Sequence, residues 1–231
     1  MKRVYREVGT AAVEGGWEVR LDGRSLKSPA RAPLVLPTRA LAEAVAAEWD
    51  AQTETVEPHS MPMMQLASTT VDRIVPQRAA IVDGVAAYAG TDLLCYRADH
   101  PRSLVARQEE AWQPLLDWVA SRYDAMLLPT TGIVHRPQSD LTLAALRRAV
   151  EAQDDWRLSG LQNAVALSGS LVVALALLEG RIDAEEAFAV SQLDESWQSE
   201  TWGVDAEAAA RRAGIRADLG ATERFLRLLA G

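Results

Sequence analysis

Gly15-Gly16-Trp17-Glu18-Val19-Arg20-Leu21-Asp22-Gly23-Arg24-Ser25-Leu26-Lys27 is the stretch on which the fold turns. Trp17, Val19 and Leu21 alternate with charged residues, the period-two pattern of a strand with one dry face. Gly15-Gly16 before it and Asp22-Gly23 after it are hairpin signals, because the favoured two-residue turns need positive φ. The spacing predicts a strand over 17–21, with antiparallel neighbours on both sides, one of them over 24–27. Short strands are also expected over 3–8 and 11–14, separated at Gly9, and over 34–36 beyond Pro29 and Pro33. Successive hairpins give a sheet with one wet face, and a unit this small needs a cover. Thr38 is placed to cap a helix over 39–52, in which Leu41, Val45 and Trp49 follow helical spacing, and that helix is the expected cover.

Beyond Pro58 and Pro62 the pattern is helical, over 63–74, 76–89, 102–123, 139–152, 155–178, 183–201 and 205–229. Gly90, Gly180 and Gly203 act as stops. Thr91 to Tyr96 reads equally as a short strand or a lead into the next helix. Pro114 lies inside the 102–123 pattern and removes a backbone donor, which predicts a kink or a break at Gln113. No strand pair is expected in this half. The expected fold class is α+β: a small N-terminal antiparallel β domain with its covering helix over 1–60, then a larger all-α C-terminal domain over 61–231.

At 231 residues the chain is long enough to bury about 70% of its unfolded surface without disulfides or metals. The single cysteine, Cys95, excludes an internal disulfide and a cysteine zinc cage, which fits a reducing compartment. Net charge is −8, and the first 40 residues hold 8 of the 24 basic residues but only 4 of the 32 acidic ones. The remainder is therefore strongly acidic, which argues against nucleic-acid binding. Lys2, Arg3 and Arg6 are followed by no apolar core of an export signal, so a cytoplasmic protein is expected. The longest apolar run, 171–178, is far short of a membrane span, and no membrane insertion is expected.

Motifs for chemistry are scarce. No phosphate-cradling loop or dinucleotide fingerprint occurs, and Lys2 and Lys27 are the only lysines. His59, His100 and His135 are scattered beside prolines without metal-ligand spacing, so no metal or cofactor is expected. Ser168-Gly169-Ser170 lacks a nucleophile-elbow pattern and reads as a small-residue spot for close helix packing. The densest constellation is Leu193-Asp194-Glu195-Ser196-Trp197-Gln198-Ser199-Glu200-Thr201-Trp202-Gly203. On a helix, Asp194, Gln198 and Trp202 recur at i, i+4 and i+8, with Trp197 on an adjacent ridge. Such a face suits gripping another protein through aromatic anchors. The alternative is a core-facing Trp pair beside a solvated acidic face. Asp194 and Glu195 point about 100° apart on a helix and so cannot serve one substrate atom together; Glu48, Asp50 and Asp92 are the other carboxylates that enter such a scheme.

Taken in order, several segments carry a resemblance. They are Tyr5-Arg6, Leu21-Asp22-Gly23-Arg24, Leu26-Lys27-Ser28-Pro29, Glu48-Trp49-Asp50-Ala51-Gln52, Met61-Pro62 and Thr91-Asp92-Leu93-Leu94-Cys95-Tyr96. Gln108 with Trp112-Gln113-Pro114-Leu115-Leu116, Ser168-Gly169-Ser170-Leu171, and Leu193-Asp194-Glu195 with Gln198, Trp202 and Gly203 complete the set. Together they resemble the assembly chaperone for the alpha subunit of the catalytic head of F-type ATP synthase, known from mitochondria and alphaproteobacteria. The resemblance implies a non-enzymatic, ATP-independent chaperone. It would bind the free alpha subunit and hide the beta-facing surface until beta takes that place, in the bacterial cytoplasm or, for eukaryotic relatives, the mitochondrial matrix. It also implies an N-terminal β domain and a larger α domain, and an acidic residue of functional weight at Glu195. The expected partner-binding residues are therefore Glu195, Asp194, Gln198, Trp202 and Trp197. Gln113 departs from the family, where that position is often acidic. A monomer is expected, since the client surface must stay open. Two other readings stand beside this one: a generic helical adaptor with another client, and an acid-base hydrolase using Glu195.

Overall fold

The computed structural model describes residues 2–132 and 134–230, and the chain divides into two compact units. The first runs to Arg78 and takes in Asp155–Gly160 and the segment from Ala221 onward; the second holds Ala79–Asp154 and Leu161–Gly220.

In the first unit, β1 (Val8–Val13), β2 (Gly16–Leu21) and β3 (Arg24–Ser25) form an antiparallel sheet in that order. Val8 faces Leu21 and Val13 faces Gly16 across the first pair, and Leu21 faces Arg24 across the second. The connecting turn places Asp22 at φ 48° and Gly23 at φ 76°, as a two-residue hairpin requires. The Asp22 carboxylate also accepts from the backbone N–H groups of Arg6 and Glu7, both at 2.9 Å, and these bonds hold it below the usual carboxylate range. Trp17 exchanges backbone hydrogen bonds with Leu36. A Cβ on Gly16 would lie 2.2 Å from the Leu36 carbonyl oxygen, so only glycine admits that approach.

The cover is α1 (Arg39–Asp50), whose Leu41, Val45 and Trp49 pack on the sheet core with Val19 and Leu36. Thr38 Oγ1 accepts from the Leu41 N–H at 3.2 Å and donates to the Leu228 carbonyl at 2.6 Å. Next comes α2 (Pro62–Thr69), continued by a wide turn at Thr70–Ile74 and a tight one at Val75–Gln77. Glu48 supplies the α2 cap: its two carboxylate oxygens accept from the Met63 and Met64 N–H groups, each at 2.8 Å. Gln52 ties the turn before α2 by accepting from the Glu57 N–H and donating to Ser60. Asp50 pairs with Arg3 at 3.3 Å.

The second unit contains α3 (Arg78–Ala87) from its second residue, the short strand β4 (Tyr96–Arg97), α4 (Arg102–Tyr123), β5 (Thr130–Thr131) and α5 (Asp140–Glu151). It continues with α6 (Asp155–Ser168) from Leu161, α7 (Leu171–Leu178), α8 (Ala184–Ser191), α9 (Leu193–Trp202) and α10 (Ala206–Leu228) as far as Gly220. All eight residues of α7 are buried, so this apolar helix is central to the unit, and α4 and α8 pack on it. Asp92, wholly buried, secures its start. Its carboxylate accepts from the Ser170 hydroxyl at 2.7 Å, the Val172 N–H at 3.0 Å and the Leu94 N–H at 3.1 Å. A buried carboxylate at a helix N-terminus is well served by those donors and by the helix dipole.

The α+β class, with a small antiparallel β start before a largely helical remainder, is therefore as the sequence predicts, but several local expectations are corrected. The first strand is not broken at Gly9, which is exposed and needs no special conformation there; β1 begins at Val8 and runs through it. The 155–178 pattern is two helices. Gly169, at φ 69°, ends α6, and Ser170 caps α7 by accepting from the Val173 N–H, so this triplet is a chain break and not a packing spot. A Cβ on Gly169 would meet nothing within 4 Å. The 183–201 pattern likewise splits at Gln192. Pro114 does not break α4, because it and Glu110, whose carbonyl it frees, both lie on the exposed face where water can replace the lost bond. Thr91–Tyr96 resolves into a tight turn at Leu93–Cys95 followed by β4, which pairs in parallel with β5, so a strand pair does occur in this half.

Candidate functional site

The segment around α9 is fixed from below by α4. Trp112, 1% exposed, donates its indole N–H to the Val190 carbonyl at 2.9 Å, pinning the end of α8 where α9 begins. One turn earlier, Gln108, also 1% exposed, accepts from the Ala98 N–H and donates to the Asp194 carboxylate, both at 2.8 Å. The Arg97 guanidinium lies over the Trp112 ring at 5.3 Å and donates to the carbonyls of Leu94 and Gln108. Burial pulls its pKa down, against the opposing pull of Glu109 and Cys95. Gln113 accepts from Arg97 at 3.4 Å and donates to Asp117 at 2.8 Å, so an amide serves both neighbours at this position.

From the other side, the Ser196 hydroxyl donates to the Gln192 carbonyl at 2.6 Å and accepts from Arg212 of α10 at 2.5 Å. Arg212 and Arg216 both stack on the Phe188 ring, and Arg216 also forms an ion pair with Glu185. Arg107 pairs with Glu200 at 2.7 Å. The helix is thus held at both ends of its inner face, while none of its residues is buried.

The five predicted residues divide by direction. Asp194 is half-buried and turned toward Gln108, where its charge also favours the first turn of α9. Trp197 is half-buried, and its ring meets that of Trp202 edge to face, with centroids 5.5 Å apart and planes at 88°. Glu195, Gln198 and Trp202 face solvent, Trp202 at 73% exposure. Val204, just past Gly203, is also 72% exposed. The core-facing reading of the Trp pair does not describe Trp202. An exposed indole braced by a second one, with a carboxylate and an amide on the same face, is chemically suited to contact with a macromolecule.

The sequence reading missed the parts of Gln108, Trp112 and Arg97 in positioning α9. The helical spacing of Gln108 and Trp112 signals a buried face, but not that its amide and indole are spent on bonds to the α8–α9 segment, and nothing in the pattern ties Arg97 to them. Of the other carboxylates considered, Asp92 is consumed by the α7 start, Glu48 by the α2 cap and Asp50 by Arg3. Burial pushes the Cys95 thiol up to about 12. Among the described residues no group of three potential metal ligands occurs, and no helix is long and apolar enough to cross a membrane.

Residues 2–120 match the family described as ATP12 chaperone protein. The mitochondrial protein atp12 of Schizosaccharomyces pombe is 26% identical over 214 residues, which is 87% of this chain and 74% of that protein. The crystal structure of Atp12 from Paracoccus denitrificans superimposes with a TM-score of 0.95 at 43% identity, covering 99% of this chain and 98% of that one. The Atu1473 protein of Agrobacterium tumefaciens gives 0.93 at 41% identity, over 99% and 86% of the two chains.

Proposed function

Because this chain belongs to the ATP12 chaperone family, we propose that it is a chaperone for assembly of the catalytic head of F-type ATP synthase, with the free alpha subunit as its client. Its task is to cover the beta-facing surface of alpha until beta replaces it, and no catalysis enters that task. An unassembled subunit exposes an apolar interface that aggregates unless covered, and a modest contact can later yield to the larger permanent one. The observation that carries the reading is the α9 face: Trp202 stands 73% exposed on a helix whose inner side is bonded down. Glu195, Gln198 and Trp202 make the contact, Trp197 braces Trp202, and Asp194 sets the helix through Gln108.

The test is dilution of denatured alpha subunit into buffer with and without this protein, followed by light scattering. The wild-type chain suppresses aggregation at equimolar ratio; Trp202→Ala and Glu195→Ala do not, while their circular dichroism stays that of the wild type. Suppression by both variants equal to wild type overturns the assignment of α9, and no suppression by the wild-type chain overturns the client.

A further inference from the structure

Within the first unit, α1, α2 and the turns before α2 leave a cleft of about 680 Å³. That volume is in the range that holds a few residues of extended chain or a drug-sized molecule. Trp49, Val56, Met61 and Met64 give it an apolar wall, and methionine side chains adapt to varied shapes. Two polar atoms of lining side chains stand out: Trp49 Nε1 and Ser68 Oγ are buried without a hydrogen-bond partner, in side chains 8% and 7% exposed. Buried polar groups are nearly always paired, so two orphaned donors on lining side chains, covered from solvent but unpaired, are free to turn toward acceptors that arrive with a ligand. The charges at the edge are selective. Asp72 is already engaged by the Ser28 hydroxyl at 2.5 Å and the Ala30 N–H at 3.0 Å, whereas Lys27 and Arg73 are exposed beside the opening. In a chain of net charge −8, this is a locally basic mouth on an apolar slot.

We infer that this cleft binds an extended segment of the client polypeptide, one with bulky apolar side chains and an adjacent acidic residue. The apolar side chains fill the slot against Trp49 and the methionines. Main-chain carbonyl oxygens, which an extended and unpaired segment offers freely, accept from Trp49 Nε1 and Ser68 Oγ. The acidic side chain meets Lys27 and Arg73. An unassembled subunit exposes such segments at its free interface and an assembled one hides them, so the cleft would be a second contact, additional to α9. The inference rests on the chaperone reading for its occupant.

The test uses the full 15N-labelled chain, with the Trp49 indole resonance assigned by its loss in Trp49→Phe. Overlapping twelve-residue peptides spanning the alpha subunit are titrated in, and then intact alpha subunit. The expected result is that peptides carrying apolar and acidic residues together shift the Trp49 N–H signal, and that Lys27→Glu with Arg73→Glu, both surface changes, weakens them about tenfold. If no peptide moves that signal, the cleft inference is overturned, whether or not intact alpha binds. If peptides move it with the expected charge dependence but intact alpha is never captured, the cleft stands and the alpha-subunit reading falls.

Discussion

Asp92→Ala should be among the most damaging single changes in the second unit, and its cost follows from what the carboxylate holds. Removing it leaves the Ser170 hydroxyl and the N–H groups of Val172 and Leu94 without acceptors in a site with no solvent exposure. Each buried orphan costs about 1–3 kcal/mol, and relief from burying a carboxylate offsets part of the sum. A net loss of about 3–5 kcal/mol is expected, in the upper tail of single substitutions. Burial holds the Asp92 carboxyl above its ordinary range, opposed by those same hydrogen bonds. Both states are protonated below the ordinary aspartate value, so burial of charge costs nothing there. As pH rises toward the raised folded value, the unfolded chain releases the proton first and wild-type stability falls. The deficit of Asp92→Ala is therefore larger toward acid pH than at neutral pH. Urea unfolding gives the total, and hydrogen exchange at Val172 and Leu94 locates it. A loss below about 1 kcal/mol with unchanged protection at Val172 would refute the idea that this carboxylate secures α7.

Glu48→Ala uncaps α2 and should lower stability by about 1–2 kcal/mol, read by thermal unfolding, with increased exchange at Met63 and Met64. Cys95, its thiol pushed up to about 12 by burial, should resist iodoacetamide in the folded chain at mildly alkaline pH and react once urea unfolds it, as mass spectrometry would show. Trp202→Ala should shift stability by about 1 kcal/mol or less, because the side chain stands mostly in water and gives up only its ring contact with Trp197, while abolishing suppression of client aggregation.

What the sequence made legible was local chemistry. Asp22-Gly23 announces its turn because positive φ is a property of those residue types, and Thr38 announces a helix start because its hydroxyl reaches a backbone N–H. What it hid depends on distant partners. Gly169 sits inside an apolar run that mimics one continuous helix, and the break is stabilised by Asp92, 77 residues earlier in the chain. Gln192 divides α8 from α9 without glycine or proline to mark it. Phe225 lies in the core cluster of the first unit, beyond the reach of any periodicity within its own helix. At the candidate site, i, i+4 spacing places Asp194, Gln198 and Trp202 on one ridge but cannot tell that Asp194 turns inward to Gln108 while Trp202 stays in water.

Size-exclusion chromatography with light scattering on separately refolded alpha and beta subunits reads capture of free alpha through α9 without an intermediate assay. The predicted result is a one-to-one complex with alpha alone, lost with Glu195→Ala and dissolved on adding beta. Folded alpha eluting free of the chaperone, or a complex indifferent to both Glu195→Ala and beta, would contradict it.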